Sequence, residues 1–142
     1  MLPEFIELEV VTPERHVLHE NVQSLEMPGK EGYLGILPGH APLLTELGIG
    51  VLTYQKGREV HALTVMQGYA EVLPDRVIIL AELSERAEEI DAARAQHAVE
   101  SAQAELTRVG VQHSDWERIT HALERAKVRV QAASKPPGQT GR

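Results

Sequence analysis

The sequence predicts a β-sandwich followed by an α-helical hairpin: an N-terminal antiparallel sandwich or barrel, then two antiparallel C-terminal helices. Three observations carry this. From Phe5 to about Glu82, apolar and polar residues alternate with period two between closely spaced turn residues, the pattern of half-buried strands. After Ser84 the apolar spacing changes to alternating steps of three and four, and no Pro or Gly occurs between Glu85 and Val109. Gly110 and a few polar residues then divide the remainder into two stretches of similar length, which short connection makes antiparallel neighbours.

Taken in order, Ile6, Leu8 and Val10 alternate with Glu7 and Glu9 in a first strand, and Thr12-Pro13-Glu14 turns the chain into a short strand at Val17-Leu18. Val22 to Met27 forms a third strand. Gly50 to Tyr54 and Val60 to Val65 flank Gln55-Lys56-Gly57-Arg58, and Tyr69 to Leu73 and Arg76 to Leu80 flank Pro74-Asp75; both read as hairpins. In the helical part, Ala95, Val99, Ala102, Leu106 and Val109 form one stripe, with Gly110 as its stop. Ser114 with Glu117 predicts a capping box opening the second helix, whose stripe is Trp116, Ile119, Leu123, Ala126, Val130 and Ala133. The expected divisions are a sandwich over 1–84, a hairpin over 85–134 and a flexible tail over 135–142. The hairpin stripes are largely Ala and Val, so each contact buries little area. Two readings remain open: a weakly held, movable arm, or close packing that alanine permits.

Composition narrows the function. The 142 residues carry a formal charge of −7, opposite in sign to a nucleic-acid footprint. No cysteine is present, which excludes disulfides and thiolate metal sites. No apolar run approaches the roughly 20 residues that span a bilayer, and no leader opens the chain. The expectation is a soluble chain in the compartment that made it, reaching a membrane only through a partner. Serines lack a nucleophile elbow, and no phosphate-binding glycine loop occurs. His16 and His19 are three apart beside a short strand, and His97, His113 and His121 have no ligand-like spacing, so no metal site is expected. Glu88-Glu89 reads as acidic bias near a helix start. The chain has no predicted catalytic residue.

Two features ask for an explanation. The stretch PGKEGYLGILPGHAPLLTELG, residues 28–48, holds three prolines and five glycines, yet also Leu34, Ile36, Leu37, Leu43, Leu44 and Leu47. Arg125 and Arg129 sit four apart on the second helix, a like-charge pair with no Asp or Glu three or four residues away on that helix. They are either solvated over alanine or matched by another element or an anion.

The residues GYLGILPGHAPLLTELGIGVL, with TPERHVL, MPGKEG, QGYAEVLPDRVIILAE and EEIDAARA around them, resemble the epsilon subunit of F-type ATP synthases over essentially the whole chain. The resemblance implies a sandwich followed by a helical hairpin, and a non-catalytic role in the central rotor stalk. The subunit would couple ion flow through the c-ring to ATP synthesis and regulate ATP hydrolysis through a mobile hairpin. Its implied partners are the gamma subunit, the c-ring and the catalytic alpha/beta hexamer, with no nucleic acid. The implied location is peripheral, at the cytoplasmic face of a bacterial plasma membrane and held there by the complex. The broken apolar stretch then becomes part core and part interface. His40 matches a position near gamma, Leu43 and Leu44 are further expected subunit contacts, and Lys30, Glu31 and Tyr33 match the turn facing the ring, where an acidic residue often stands in place of Tyr33. No cofactor is required, but ATP is implied as a regulatory ligand of the hairpin. Ile90, Asp91, Arg94 and Ala95 match the family's I-D-x-x-R-A motif, and Arg125 and Arg129 match its second-helix arginines. Ser101 stands where nucleotide-binding members carry a further arginine, and Asp91 has an equally direct reading as a helix N-cap or as Arg94's helical partner. A free sandwich-plus-hairpin adaptor that binds helical partners outside any rotary machine is the competing reading.

Overall fold

Seven strands precede two helices in the structure, a computed structural model that describes residues 2–134. The tail expected over 135–142 lies outside the described residues. The strands are β1 (Ile6–Val11), β2 (His16–Val22), β3 (Ser24–Gly29), β4 (Gly32–Ile36), β5 (Leu43–Lys56), β6 (Glu59–Leu73) and β7 (Arg76–Leu83). They form one sheet in the order β2-β1-β7-β6-β5-β3-β4. Five neighbouring pairs are antiparallel, but β1 and β7 are parallel. The all-antiparallel expectation is corrected here. Those two strands are far apart in sequence, so no tight turn fixes their relative direction.

The sheet folds over on itself to make the sandwich. Ile6, Leu8, Val10, Leu25, Met27, Leu52, Leu63, Val77 and Ile79 all point into one buried core. β2 runs almost directly into β3, and the Gln23 N–H donates to the Gln55 carbonyl (2.8 Å) at the head of the β3–β5 ladder. Two features of this closure differ from the periodic reading. The strands expected at Val60–Val65 and Tyr69–Leu73 are one strand, β6, which turns at Gln67 (φ 64°) and Gly68 (φ 139°) without leaving the ladder. β5 likewise begins at Leu43, so its first half belongs to the glycine- and proline-broken stretch, as does β4.

The helices are α1 (Ala92–Val109) and α2 (Trp116–Ala133), with a single 3-10 turn at Ala87–Glu89 before them. Asp91 caps α1: its carboxylate accepts from the Arg94 N–H (3.1 Å), and Gly110 closes the far end at positive φ. The capping box at Ser114 does not form. α2 starts after Asp115, which makes no side-chain cap bond. Its N–H instead donates to Nδ1 of His113 (3.0 Å), and its carboxylate faces Arg118 (3.5 Å).

α2 buries two faces. Ile119 and Ala126 lie on the predicted stripe, whereas Val128 and Ala132 lie off it and pack with Val51, Ala62 and Met66 on the outside of the sheet. This explains the nearly unbroken apolar run Ala62 to Met66. Leu63 and Val65 fill the sandwich while Ala62 and Met66 receive the helix, so both faces of the strand are covered. The hairpin is thus folded against the sheet through α2.

At Gly68 a Cβ would collide with the Leu80 carbonyl and the Ala81 backbone, neither of which can rotate away. Gly68→Ala is expected to destabilise the protein by at least about 2 kcal/mol, through strain at positive φ and the backbone clash. Urea unfolding of the two proteins measures this.

Candidate functional site

The site is built on the segment between β7 and α1. Thr64 of β6, fully buried, exchanges hydrogen bonds with this segment: its N–H donates to the Glu85 carbonyl (2.8 Å) and its hydroxyl accepts from the Glu85 N–H (2.9 Å). The Ser84 hydroxyl donates to the Thr64 carbonyl (2.6 Å). From the β1–β2 turn, Arg15 donates to both carboxylate oxygens of Glu89 (2.7 and 2.8 Å) and to the Ser84 carbonyl (3.1 Å). Arg86 adds its N–H to Glu89 (2.9 Å). Glu89 is therefore the acceptor of a fork of donors rather than one of a pair of solvated acids. The Arg15 hydrogen bonds chiefly, with those of Arg86, hold its carboxyl at about 2, well below the ordinary 4.5.

A cleft of about 340 Å3 opens between this fixed segment and the hairpin. Ile90, Asp91, Arg94 and Ala95 line it from the start of α1, and Ala126 and Arg129 from α2, with Glu85 and Glu89 at its root. Five of the six residues matched to the nucleotide motif thus meet in one place. Arg125 is not among the lining residues, and neither is Ser101. Arg129 is answered by the other element the sequence left open: its Nε donates to Glu85 (2.6 Å), tying α2 to the linker. The carboxylate of Asp91 is used by the α1 cap. Among the described residues, Arg94 makes no ion pair, so it is the cation the cleft leaves available. Two guanidinium groups at the start of α1 and on α2 could meet a polyphosphate if it displaced Glu85 from Arg129, although the carboxylates of Asp91 and Glu89 also line the cleft.

A second surface lies on the outside of the sheet. Val11, Leu80 and Tyr69 sit side by side on β1, β7 and β6, and Leu80 and Tyr69 are both more than half exposed. With Pro13 and Gly68 they line a shallow apolar groove, and Leu44 (74% exposed) stands on the neighbouring row. Sequence reasoning missed Tyr69 and Leu80. The available signal was phase: Ile79 and Ala81 point inward, so Leu80 is apolar at an outward position.

The family model for the ATP synthase delta/epsilon chain β-sandwich domain matches residues 5–87, and that for the delta/epsilon chain long α-helix domain matches residues 88–134. The chain belongs to the ATP synthase delta/epsilon family. Among its relatives, the ATP synthase epsilon chain of Solibacter usitatus is 46% identical over 134 residues, covering 94% of this chain and 99% of that one. The epsilon chain of Geobacter sulfurreducens is 41% identical over 134 residues, 94% and 97% of the two chains. A chain in the cryo-EM structure of the Euglena gracilis mitochondrial ATP synthase, OSCP/F1/c-ring, superposes with a TM-score of 0.79 at 25% identity, over 94% of this chain and 84% of that one. A chain from the Tetrahymena thermophila mitochondrial enzyme (TM-score 0.56, 14% identity, 90% and 96% coverage) shares the fold.

A delta/epsilon chain is a non-catalytic part of the rotor stalk. The residues matched to subunit contacts flank the first half of β5. Lys30 pairs with Glu46 (3.2 Å), and the Lys30 N–H donates to the Glu46 carbonyl (2.9 Å), so the β3–β4 turn lies against that strand. Glu31 is exposed at its tip. His40 sits in the loop before β5, with Nδ1 2.6 Å from the Ala41 carbonyl. Leu44 is 74% exposed on the outer side of β5, whereas Leu43, paired with the core residue Val72, is partly exposed at the strand's end. Tyr33 supports the fold as well, since its hydroxyl accepts from the Val51 N–H (3.0 Å) where the β3–β5 ladder breaks at Pro28, and Gly50 leaves room for it.

Two outcomes are expected. Tyr33→Phe removes the acceptor of Val51 and costs about 1–3 kcal/mol in denaturant unfolding. Because the folded carboxyl of Glu89 titrates at about 2 rather than 4.5, its stabilisation is complete above about 4.5 and is lost as pH falls toward 2. Glu89→Gln should therefore lower stability at neutral pH and flatten the stability curve across that acid window, as measured by thermal melting at several pH values.

Proposed function

We propose that this chain is the epsilon-type link of a bacterial rotor stalk. Its sandwich would grip the gamma subunit through the apolar outer face around Tyr69, Leu80 and Leu44. The β3–β4 turn, with Lys30, Glu31 and the exposed edge of Tyr33, would meet the c-ring, and His40 and Leu43 would border the gamma contact. The complex would sit at the cytoplasmic face of the plasma membrane, and the chain would reach the bilayer only through its partners. No helix among the described residues is long and apolar enough to cross a membrane.

The hairpin is the regulatory part of this reading. Folded on the sheet, it leaves the catalytic alpha/beta hexamer alone; released, it would extend along gamma and block ATP hydrolysis. The observation that carries the regulatory role is the cleft joining Ile90, Asp91, Arg94 and Ala95 to Arg129 across the two helices. A nucleotide polyphosphate bound there contacts both helices of the folded hairpin, whereas a straightened hairpin would separate them. ATP would then favour the folded form, because a ligand shifts an equilibrium only through differential affinity. The functional division follows the fastening of residues 84–89: a sandwich that assembles, and a hairpin that regulates.

Calorimetry of the full chain with ATP tests the nucleotide site. Arg94→Ala and Arg129→Ala should each weaken binding about tenfold or more, the value of a charge-assisted hydrogen bond. Heat that survives both substitutions would put the nucleotide elsewhere, and no heat at millimolar ATP would end that part of the proposal. A chain truncated after Ile90 keeps the pinned linker and should still copurify with gamma while hydrolysis by the complex rises. Leu44→Asp should fold normally yet lose gamma. Failure of the intact chain to bring down gamma and the hexamer would favour the free-adaptor reading.

A further inference from the structure

A side-chain cluster on the outward face of the β1–β2 hairpin is used by neither the cleft nor the apolar face. A regular strand sends residues three apart to opposite faces. In β2 they share one, because the pairing with β1 shifts register between Val10 and Val11 and both Val17 and Leu18 turn inward. His16 and His19 are thereby left together outside, with their rings stacked at 5.9 Å and nearly parallel. On the facing strand, Glu7 and Glu9 lie two apart on that same side. Nε2 of His16 is 2.9 Å from Glu9, and Nε2 of His19 is 2.6 Å from Glu7.

We propose that Glu9, His16 and His19 form a binding site for a divalent transition-metal ion of the zinc class. One ligand atom from each of the three lies within 4.8 Å of the other two. Around a tetrahedral zinc ion, bonds of about 2.0–2.1 Å place neighbouring ligand atoms about 3.3 Å apart. The cluster would close to that spacing by rotation of the two half-exposed imidazoles toward the less exposed Glu9 carboxylate, with His19 leaving Glu7. Two imidazoles select against calcium and magnesium, which take oxygen ligands, and favour zinc, nickel or copper. Water can take the fourth position. The bound ion would join β1 to β2, the edge strand of the sheet, across the bulge. The spacing of the two histidines gave no hint of this, because their convergence depends on the bulge.

The test uses the full-length chain without a histidine tag, titrated with zinc chloride in chelator-free buffer. One ion should bind per chain at micromolar concentration and raise the melting temperature, since a ligand of the folded state stabilises it by mass action. The double variant His16→Ala/His19→Ala, folded by circular dichroism, should lose both effects, whereas His97→Ala/His121→Ala should keep them. With copper, electron paramagnetic resonance should report two equatorial imidazole nitrogens in the parent chain. Unchanged binding in the His16/His19 double variant, or no binding at submillimolar zinc, would overturn the proposal and leave two surface His–Glu pairs.

Discussion

Everything the hairpin can do depends on how residues 84–89 are fastened to the sheet. Thr64 holds that segment through its backbone and its hydroxyl, and Arg15 clamps it from the β1–β2 turn by a two-bond fork onto Glu89. Such bidentate, charge-assisted bonds fix direction as well as distance. The chain therefore enters α1 from a set position, and the two walls of the cleft acquire a defined relation. Without that root, Glu85 could not meet Arg129, and the start of α1 would have no fixed partner on α2.

Beyond the root, attachment is modest. α2 meets the sheet through Val128 and Ala132, side chains that bury far less apolar area than leucine or phenylalanine would. One ion pair, Arg129 with Glu85, reinforces the seam and is itself about a third exposed on each side, so solvent screens it. The contrast with the sandwich is one of degree. There, Ile6, Leu8, Leu52, Leu63 and Ile79 are completely buried in a single core. The sandwich core and the hairpin seam are thus built from different residue sizes in one short chain, which is what the proposed fixed body and releasable arm require.

The architecture was legible wherever local pattern decides structure. Period two marked strands, alternating three and four marked helices, and Gly110 marked the stop between them. What escaped were the features set by distant contacts. The parallel β1–β7 pair, and the clamp between Arg15 and Glu89, join residues from opposite ends of the sheet-forming half and leave no local trace. The second buried face of α2 was hidden because Val128 and Ala132 fall between the positions of the stripe that packs on α1. Of the candidate nucleotide residues, sequence alone grouped six, and the fold gathers five of them around one cleft while Arg125 lies off its wall. Ser114 shows the limit of a local motif: a box of the right composition was passed over when His113 captured the neighbouring N–H.

In the proposed regulation the hairpin moves as a unit on a fixed root. Since the chain has no cysteine, spin labels can be introduced singly, at Gln131 on α2 and Arg58 on the β5–β6 turn, both exposed. Double electron–electron resonance between them should give one population at the folded distance and a second, longer one. The longer population should grow when Arg129→Ala removes the tie to Glu85. A single narrow distance, unchanged by Arg129→Ala, would contradict the account.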